Sequence, residues 1–259
     1  MIFTTKNKIH IPKYAVKILV AVFWLSVWQI IYVMVGQEIL VVSPACVFER
    51  LIQLSKQGDF WLTSFFSMLR ILEGFLIGVL AGALLAVLSA WSKVCRALIQ
   101  PVVSVVKATP VASFIILALV WMHAEFVPAF SASLIVFPVI WGNVLEGIRK
   151  TDQKLLQMGH MFQFSSVKMV HRIYIPSIMP YFMAACTTSL GLSWKAGVAA
   201  EVLSSIPMSV GTQIYNSKIY LETADLFAWT VVVILFSILL EKVMTVLMRR
   251  AAKKFNFGL

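Results

Sequence analysis

The sequence predicts an all-α integral membrane protein with about six transmembrane helices, and three observations carry that prediction. Of the 259 residues, 60% are hydrophobic and only 13% charged, against about 45–50% and about 25% in soluble domains. Six segments reach the roughly 20 apolar residues needed to cross a hydrocarbon core. The 22 Lys and Arg residues gather between alternate segments rather than along one patch. Helix is the expected form because a chain in hydrocarbon must satisfy its backbone N–H and C=O groups within the segment itself.

The first span covers residues 15–35. Lys6, Lys8, Lys13 and Lys17 precede it as they would in a signal peptide. The apolar run is long, however, and ends at Gly36-Gln37-Glu38 without a small-residue cleavage site, so it reads as a retained anchor helix. Beyond it Val47, Leu51 and Leu54, spaced four and three apart, make one apolar helical face suited to the membrane surface. The second span, residues 60–91, carries Gly74, Gly78, Gly82 and Ala86 at four-residue intervals, a stripe that admits a neighbouring helix at close range. The third, residues 98–122, contains Pro110, which removes a backbone hydrogen bond and bends the helix. Residues 128–148, 176–201 and 225–248 form the fourth, fifth and sixth spans, so that residues 1–259 make a single transmembrane domain.

Orientation follows from the basic residues, since short positively charged loops stay cytoplasmic. With both termini inside, the N-terminal arm, the Lys93/Arg96 turn, the 149–175 loop (Arg149, Lys150, Lys154, Lys168, Arg172) and the C-terminal end (Lys242, Arg249, Arg250, Lys253, Lys254) hold sixteen of the 22. The opposite segments keep only Arg50, Lys56 and Lys218 and collect Glu38, Glu49, Asp59, Glu125, Glu222 and Asp225.

The 149–175 connection is too long and too patterned for a simple turn. Leu155, Leu156, Met158 and Met161 predict one short helix, and Val167, Met169, Val170 and Ile173 a second, with Ser165-Ser166 between them as turn and cap. Their apolar side chains, outside the bilayer, call for a partner surface such as a groove in a cytoplasmic protein, or for the chain's own helix ends.

Within that loop Gln157-Met158-Gly159, Gln163 and Ile173-Tyr174-Ile175-Pro176 fall at a telling spacing. Pro44 to Leu51, and Trp194 with Val198-Ala199-Ala200-Glu201, add to it. Together these stretches resemble the permease subunits of type I binding-protein-dependent ABC importers, in the branch handling nitrate, aliphatic sulfonates and taurine. Their loop signature is Glu-Ala-Ala, a Gly six positions after the Glu, and Ile-x-Leu-Pro opening the fifth helix. Their outer segment reads Pro-x-x-Val-x-x-x-Leu, and their fifth helix ends in Trp-x-x-x-Val-Ala-Ala-Glu. Here Gln157 replaces the Glu, Met158 and Gly159 the two Ala, and Gln163 the Gly. A Gln at that turn implies either a strained left-handed residue or a different turn.

The resemblance implies a permease of the bacterial cytoplasmic (inner) membrane in which Leu155, Leu156, Gln157, Met158, Gly159, Gln163 and Pro176 couple to ATPase subunits. Two such cytoplasmic subunits would bind ATP and Mg and rock the helices between inward and outward openings. A second permease copy, forming a homodimer, and an external solute-binding protein complete the implied assembly. Independently of the resemblance, no G-x-x-x-x-G-K-[ST] loop and no Gly-Lys dipeptide occur, so no cofactor is expected in this chain and ATP hydrolysis falls to another.

Ionisable residues inside spans are costly and each calls for a role. Arg70 and Glu73, three apart, predict a structural ion pair. Lys107, about ten residues or ~15 Å into the third span, is a pathway candidate, as are Lys195 and Glu201 with Trp194 beside them. The balance of these groups is slightly positive, compatible with a small anionic solute. The alternative is an ATP-independent secondary transporter or channel with Lys107 and Lys195 at its site, but no half-to-half repeat supports it. Scattered basic residues exclude a nucleic-acid surface. Cys46, Cys95 and Cys186, and His10, His123, His160 and His171, lack metal-ligand spacing, and no clustered acid, base or nucleophile suggests an enzyme.

Overall fold

The computed structural model describes residues 13–254, and every regular element among them is helical. Lys6, Lys8 and His10 lie outside the described residues. Helix α1, Lys13–Val35, stands at the edge of the bundle with its apolar side chains exposed, and is tied in through Trp28. That indole donates to Val42 O at 3.0 Å and stacks on Phe227 at 5.7 Å.

Helix α2, Pro44–Ser55, begins where the Ser43 side chain accepts from the Cys46 N–H and Pro44 fills the first turn. Its face of Val47, Leu51 and Leu54 does not lie on the membrane surface. It is covered by Val210, Trp229 and Val232 of the chain's own later helices. Arg50 grips both carboxylate oxygens of Asp225, which fixes α2 to the first turn of the last helix.

Helix α3, Gly58–Trp91, packs along α6, Val127–Arg149, through the glycine stripe. A Cβ on Gly78 would lie 2.7 Å from Ser133 O, one on Gly82 would lie 2.9 Å from Phe137 O, and one on Gly74 would strike the Ala129 backbone. Trp141 of α6 crosses back to donate to Ser89 Oγ at 3.0 Å.

The expected third span is two helices. α4, Lys93–Ala108, and α5, Val111–Trp121, meet at 108°. Pro110 forces this break: Thr109 before it is held extended at φ −84° and ψ 133°, a conformation that no α-helix can pass through. Among the described residues four helices are both long and apolar enough to cross a membrane, and the bent pair would make a fifth.

After α6 come α7, Gln153–Met161, and α8, Ser166–Met169. The second short helix of the loop is not separate. α8 runs through a wide turn over Val170–Tyr174 straight into α9, Ile175–Ser204. In that turn Ile175 N–H bonds Val170 O, five residues back, which absorbs the missing N–H and the bulky ring of Pro176 without breaking the helix. α9 spans about 45 Å at 1.5 Å per residue. It is the centre of the bundle, touched by α3, α5, α6 and two further helices, α10, Val210–Ile219, and α11, Thr223–Lys254. Being covered, it carries Ser189, Ser193, Gly191 and Gly197 and is less apolar than its exposed neighbours, which keeps it out of the four.

Gly78→Leu is expected to force α3 off α6 and lower stability by about 1–3 kcal/mol or more. Gly58→Ala, with open space around it, should be neutral. Thermal unfolding of the detergent-solubilised variants by size-exclusion retention separates the two.

Candidate functional site

The cytoplasmic loop of the predicted topology folds around α7. Asp152 caps it, its side chain accepting the Lys154 N–H at 2.8 Å. Gly159 is turned inward: a Cβ there would lie 2.7 Å from Met169 Sδ and 3.0 Å from Ile173 Cδ1. α7 therefore rests directly on the helix that becomes α9.

The helix ends in a left-handed turn. Phe164 N–H donates to Gly159 O at 2.9 Å and Gln163 N–H to His160 O at 3.0 Å, with Gln163 at φ 52°. Of the two turns the sequence left open, the strained left-handed one forms, and it costs about 1 kcal/mol relative to glycine. Pro176 lies inside the continuous helix rather than opening it.

Beside Gly159, Leu155, Met158 and Phe162 share one face at i, i+3 and i+7 and are 41%, 52% and 69% exposed. Leu156 is half-buried and Gln157 exposed. Phe162 was not among the residues the loop pattern singled out; only its place one helical turn beyond Met158 and Gly159 marks it. Lys168 Nζ lies 4.2 Å from the Phe164 ring centre, which steadies the turn.

The candidates within the spans separate into two kinds. Trp194 is buried and donates to Val233 O at 2.9 Å, and Glu201 has no exposed surface. Glu201 Oε2 accepts from Ser67 Oγ at 2.9 Å and from Gly211 N–H at 3.1 Å, while Ser67 Oγ itself accepts from Val210 N–H at 2.8 Å. These two residues knit α3, α9, α10 and α11 and are buried within the chain itself. Arg70 turns from Glu73 to Glu201, 3.8 Å away, and donates to Met208 O and Pro207 O, so the expected Arg70–Glu73 pair does not form. Glu73 is exposed. Ser67 and Gly211 escaped the sequence reading. A cap pattern at Ser209, whose side chain accepts from Thr212 N–H at 3.1 Å, was the available sign of α10.

Lys195 and Lys107 are exposed. Lys195 shares a face of α9 with Ala184, Thr188, Leu192 and Ala199, all uncovered by the chain's other helices. Lys107 is not at mid-helix but in the last turn of α4, where it lines a cavity of about 280 Å³ between α4 and α6.

A bundle of membrane-length helices, with an amphipathic helix projecting from the base of its central one, defines a multi-pass membrane transport subunit. Residues 74–256 match the family described as binding-protein-dependent transport system inner membrane component, and the chain belongs to that family. It is 23% identical over 234 residues to SsuC of Bacillus subtilis, a permease protein named for aliphatic sulfonates transport, covering 90% of this chain and 84% of that one. It is 24% identical over 195 residues to the bicarbonate transport system permease protein CmpB of Synechococcus elongatus, covering 74% and 69%. The SsuC permease of Escherichia coli is 26% identical over 182 residues, covering 70% and 69%. The chain is thus the membrane permease component of an ATP-driven importer, a family that works with ATPase and solute-binding partners. The ATP-independent transporter or channel is not favoured.

Glu201→Ala, which strands the Gly211 N–H, the Ser67 hydroxyl and the Arg70 charge, is expected to cost about 3 kcal/mol, and Ser67→Ala about 1 kcal/mol. Their double variant should fall short of the sum because they share one network. Unfolding midpoints in detergent decide it; an unchanged midpoint for Glu201→Ala would refute the lock.

Proposed function

We propose that this permease carries a small anionic solute across the cytoplasmic membrane and that α7 receives the stroke that drives it. The observation carrying this reading is the Leu155, Met158 and Phe162 face, apolar and uncovered beside a helix that continues into the bundle. Apolar side chains at i, i+3 and i+7 suit a groove in another protein. Two cytoplasmic ATPase subunits bind ATP and Mg and supply that groove; the permease itself couples and does not catalyse.

Two copies of the chain enclose the pathway, with the uncovered face of α9 turned inward and Lys195 on it. The external binding protein delivers solute at the opposite membrane face, and both termini are cytoplasmic. The sulfonate and bicarbonate relatives support an anion as cargo, as do Lys195 and Lys107.

The test is capture of the ATPase by the tagged permease in mild detergent from cells making all native partners. Leu155→Asp with Met158→Asp should abolish capture and ATP-dependent uptake while membrane insertion is unchanged. Gln163→Pro, whose fixed φ near −65° cannot adopt the left-handed turn, should do the same. Gln163→Gly should retain capture and stabilise the loop by about 1 kcal/mol. Normal uptake by the Asp double variant would remove α7 as the docking element.

A further inference from the structure

Helix α4 has an unused polar face. Lys93, Arg96, Gln100, Ser104 and Lys107 recur at intervals of three and four, a stripe about 21 Å long at 1.5 Å per residue. The opposite face is apolar and exposed, with Val94, Leu98, Val102 and Val105 on it. The stripe lines two adjoining cavities against α6, of about 440 and 280 Å³, which share Arg96, Gln100 and Arg149.

The charges in this groove are uncompensated. Among the described residues none of Lys93, Arg96, Lys107 and Arg149 makes an ion pair. Arg96 Nε is buried without a hydrogen-bond partner. The one carboxylate in the wall, Glu146, is engaged by Lys150 at 3.1 Å. Four unpaired cations lining one groove raise the local concentration of anions and repel cations. Guanidinium groups interspersed with hydroxyl and amide donors suit a multi-oxygen anion rather than a halide.

We propose that the α4 stripe and Arg149 form a track for an oxyanion, and that the transported solute occupies it. This rests on the importer reading above and names the cargo's chemistry. An anionic lipid headgroup offers the same oxygens, but it would engage one level of the groove. The stripe instead runs from the cytoplasmic turn for about 21 Å along α4, as far as the α4–α5 break.

The test is lysine acylation by an acetyl N-hydroxysuccinimide ester, read residue by residue by mass spectrometry. The permease, with the partners it captures, is held in phosphatidylcholine nanodiscs at constant ionic strength. Methanesulfonate, bicarbonate and nitrate are the anion probes, and phosphatidylglycerol added to the nanodisc is the lipid probe. At least one anion should slow Lys107 acylation about tenfold. Arg149→Gln, an exposed change, and Arg96→Gln should abolish the protection. Protection by phosphatidylglycerol alone would make the groove a lipid site and overturn the proposal, as would protection by none of the probes. The α7 Asp double variant should keep Lys107 protection while losing the ATPase, so failure of docking and failure of the track are read separately.

Discussion

The carboxylate of Glu201 is the constraint on which the bundle depends. It has no exposed surface, so its charge must be answered from within: Ser67 from α3, the Gly211 N–H at the start of α10, and Arg70 nearby. Each answer fixes an element. Ser67 sets the register of α3 against α9, and Ile71 one turn on meets Gly197 at the same antiparallel offset. Gly211 must be glycine because a Cβ there would lie 2.7 Å from Val198 O. The helix N-terminus it belongs to favours a negative charge, so the carboxylate and α10 stabilise each other.

With α9 held this way, lipid need not touch most of it, and its composition follows. Ser189, Ser193, Gly191 and Gly197 are tolerable in a helix whose neighbours are other helices. α1 faces the opposite demand and exposes Ile18, Leu19, Phe23 and Leu25. The family pattern ending α9 has a contact behind nearly every fixed position: Trp194 bonds α11, Val198 packs with Ile71, and Ala200 packs with Ile115, Ala118 and Val127. Only Ala199 faces outward.

This division explains what the sequence could say. Helices in contact with lipid announce themselves by apolar length, so α1, α3 and α6 were legible to within two residues at each end, whereas α11 runs six residues past the expected end at 248, and the glycine stripe of α3 foretold a close neighbour. Where a competing local rule acted, the reading failed. Pro110 reads as a bend on paper, but the extended residue it imposes at Thr109 turns one span into two helices. Pro176 reads as a helix start, yet one five-residue hydrogen bond lets α8 pass through it. Arg70 and Glu73 suit each other by spacing, but a buried carboxylate on another helix draws Arg70 more strongly than an exposed one on its own, and no spacing rule sees across helices. The polar stripe of α4 stands in the sequence at three- and four-residue intervals, but its first members precede the apolar run, so that only Lys107 reads as a charge inside a span.

The uninterrupted course from α8 to α9 bears on how force would travel. A separate second loop helix would be hinged at Pro176, and a push on α7 would be spent in the hinge. Here Gly159 seats α7 on Met169 and Ile173, and those residues belong to a rod of about 39 residues, some 58 Å at 1.5 Å per residue, that ends three residues past Glu201. Close-packed interiors transmit displacement with little compliance. A movement of α7 therefore tilts the same helix whose far end is fastened to α3 and α10, and whose uncovered face carries Lys195. The absence of a glycine at the turn fits this design: Gln163 holds its left-handed conformation because the bonds from Phe164 and Gln163 to Gly159 and His160 outweigh its strain. The docking role proposed for α7 calls for a stiff turn more than an easy one, since a freely pivoting end would let α7 move without moving α9.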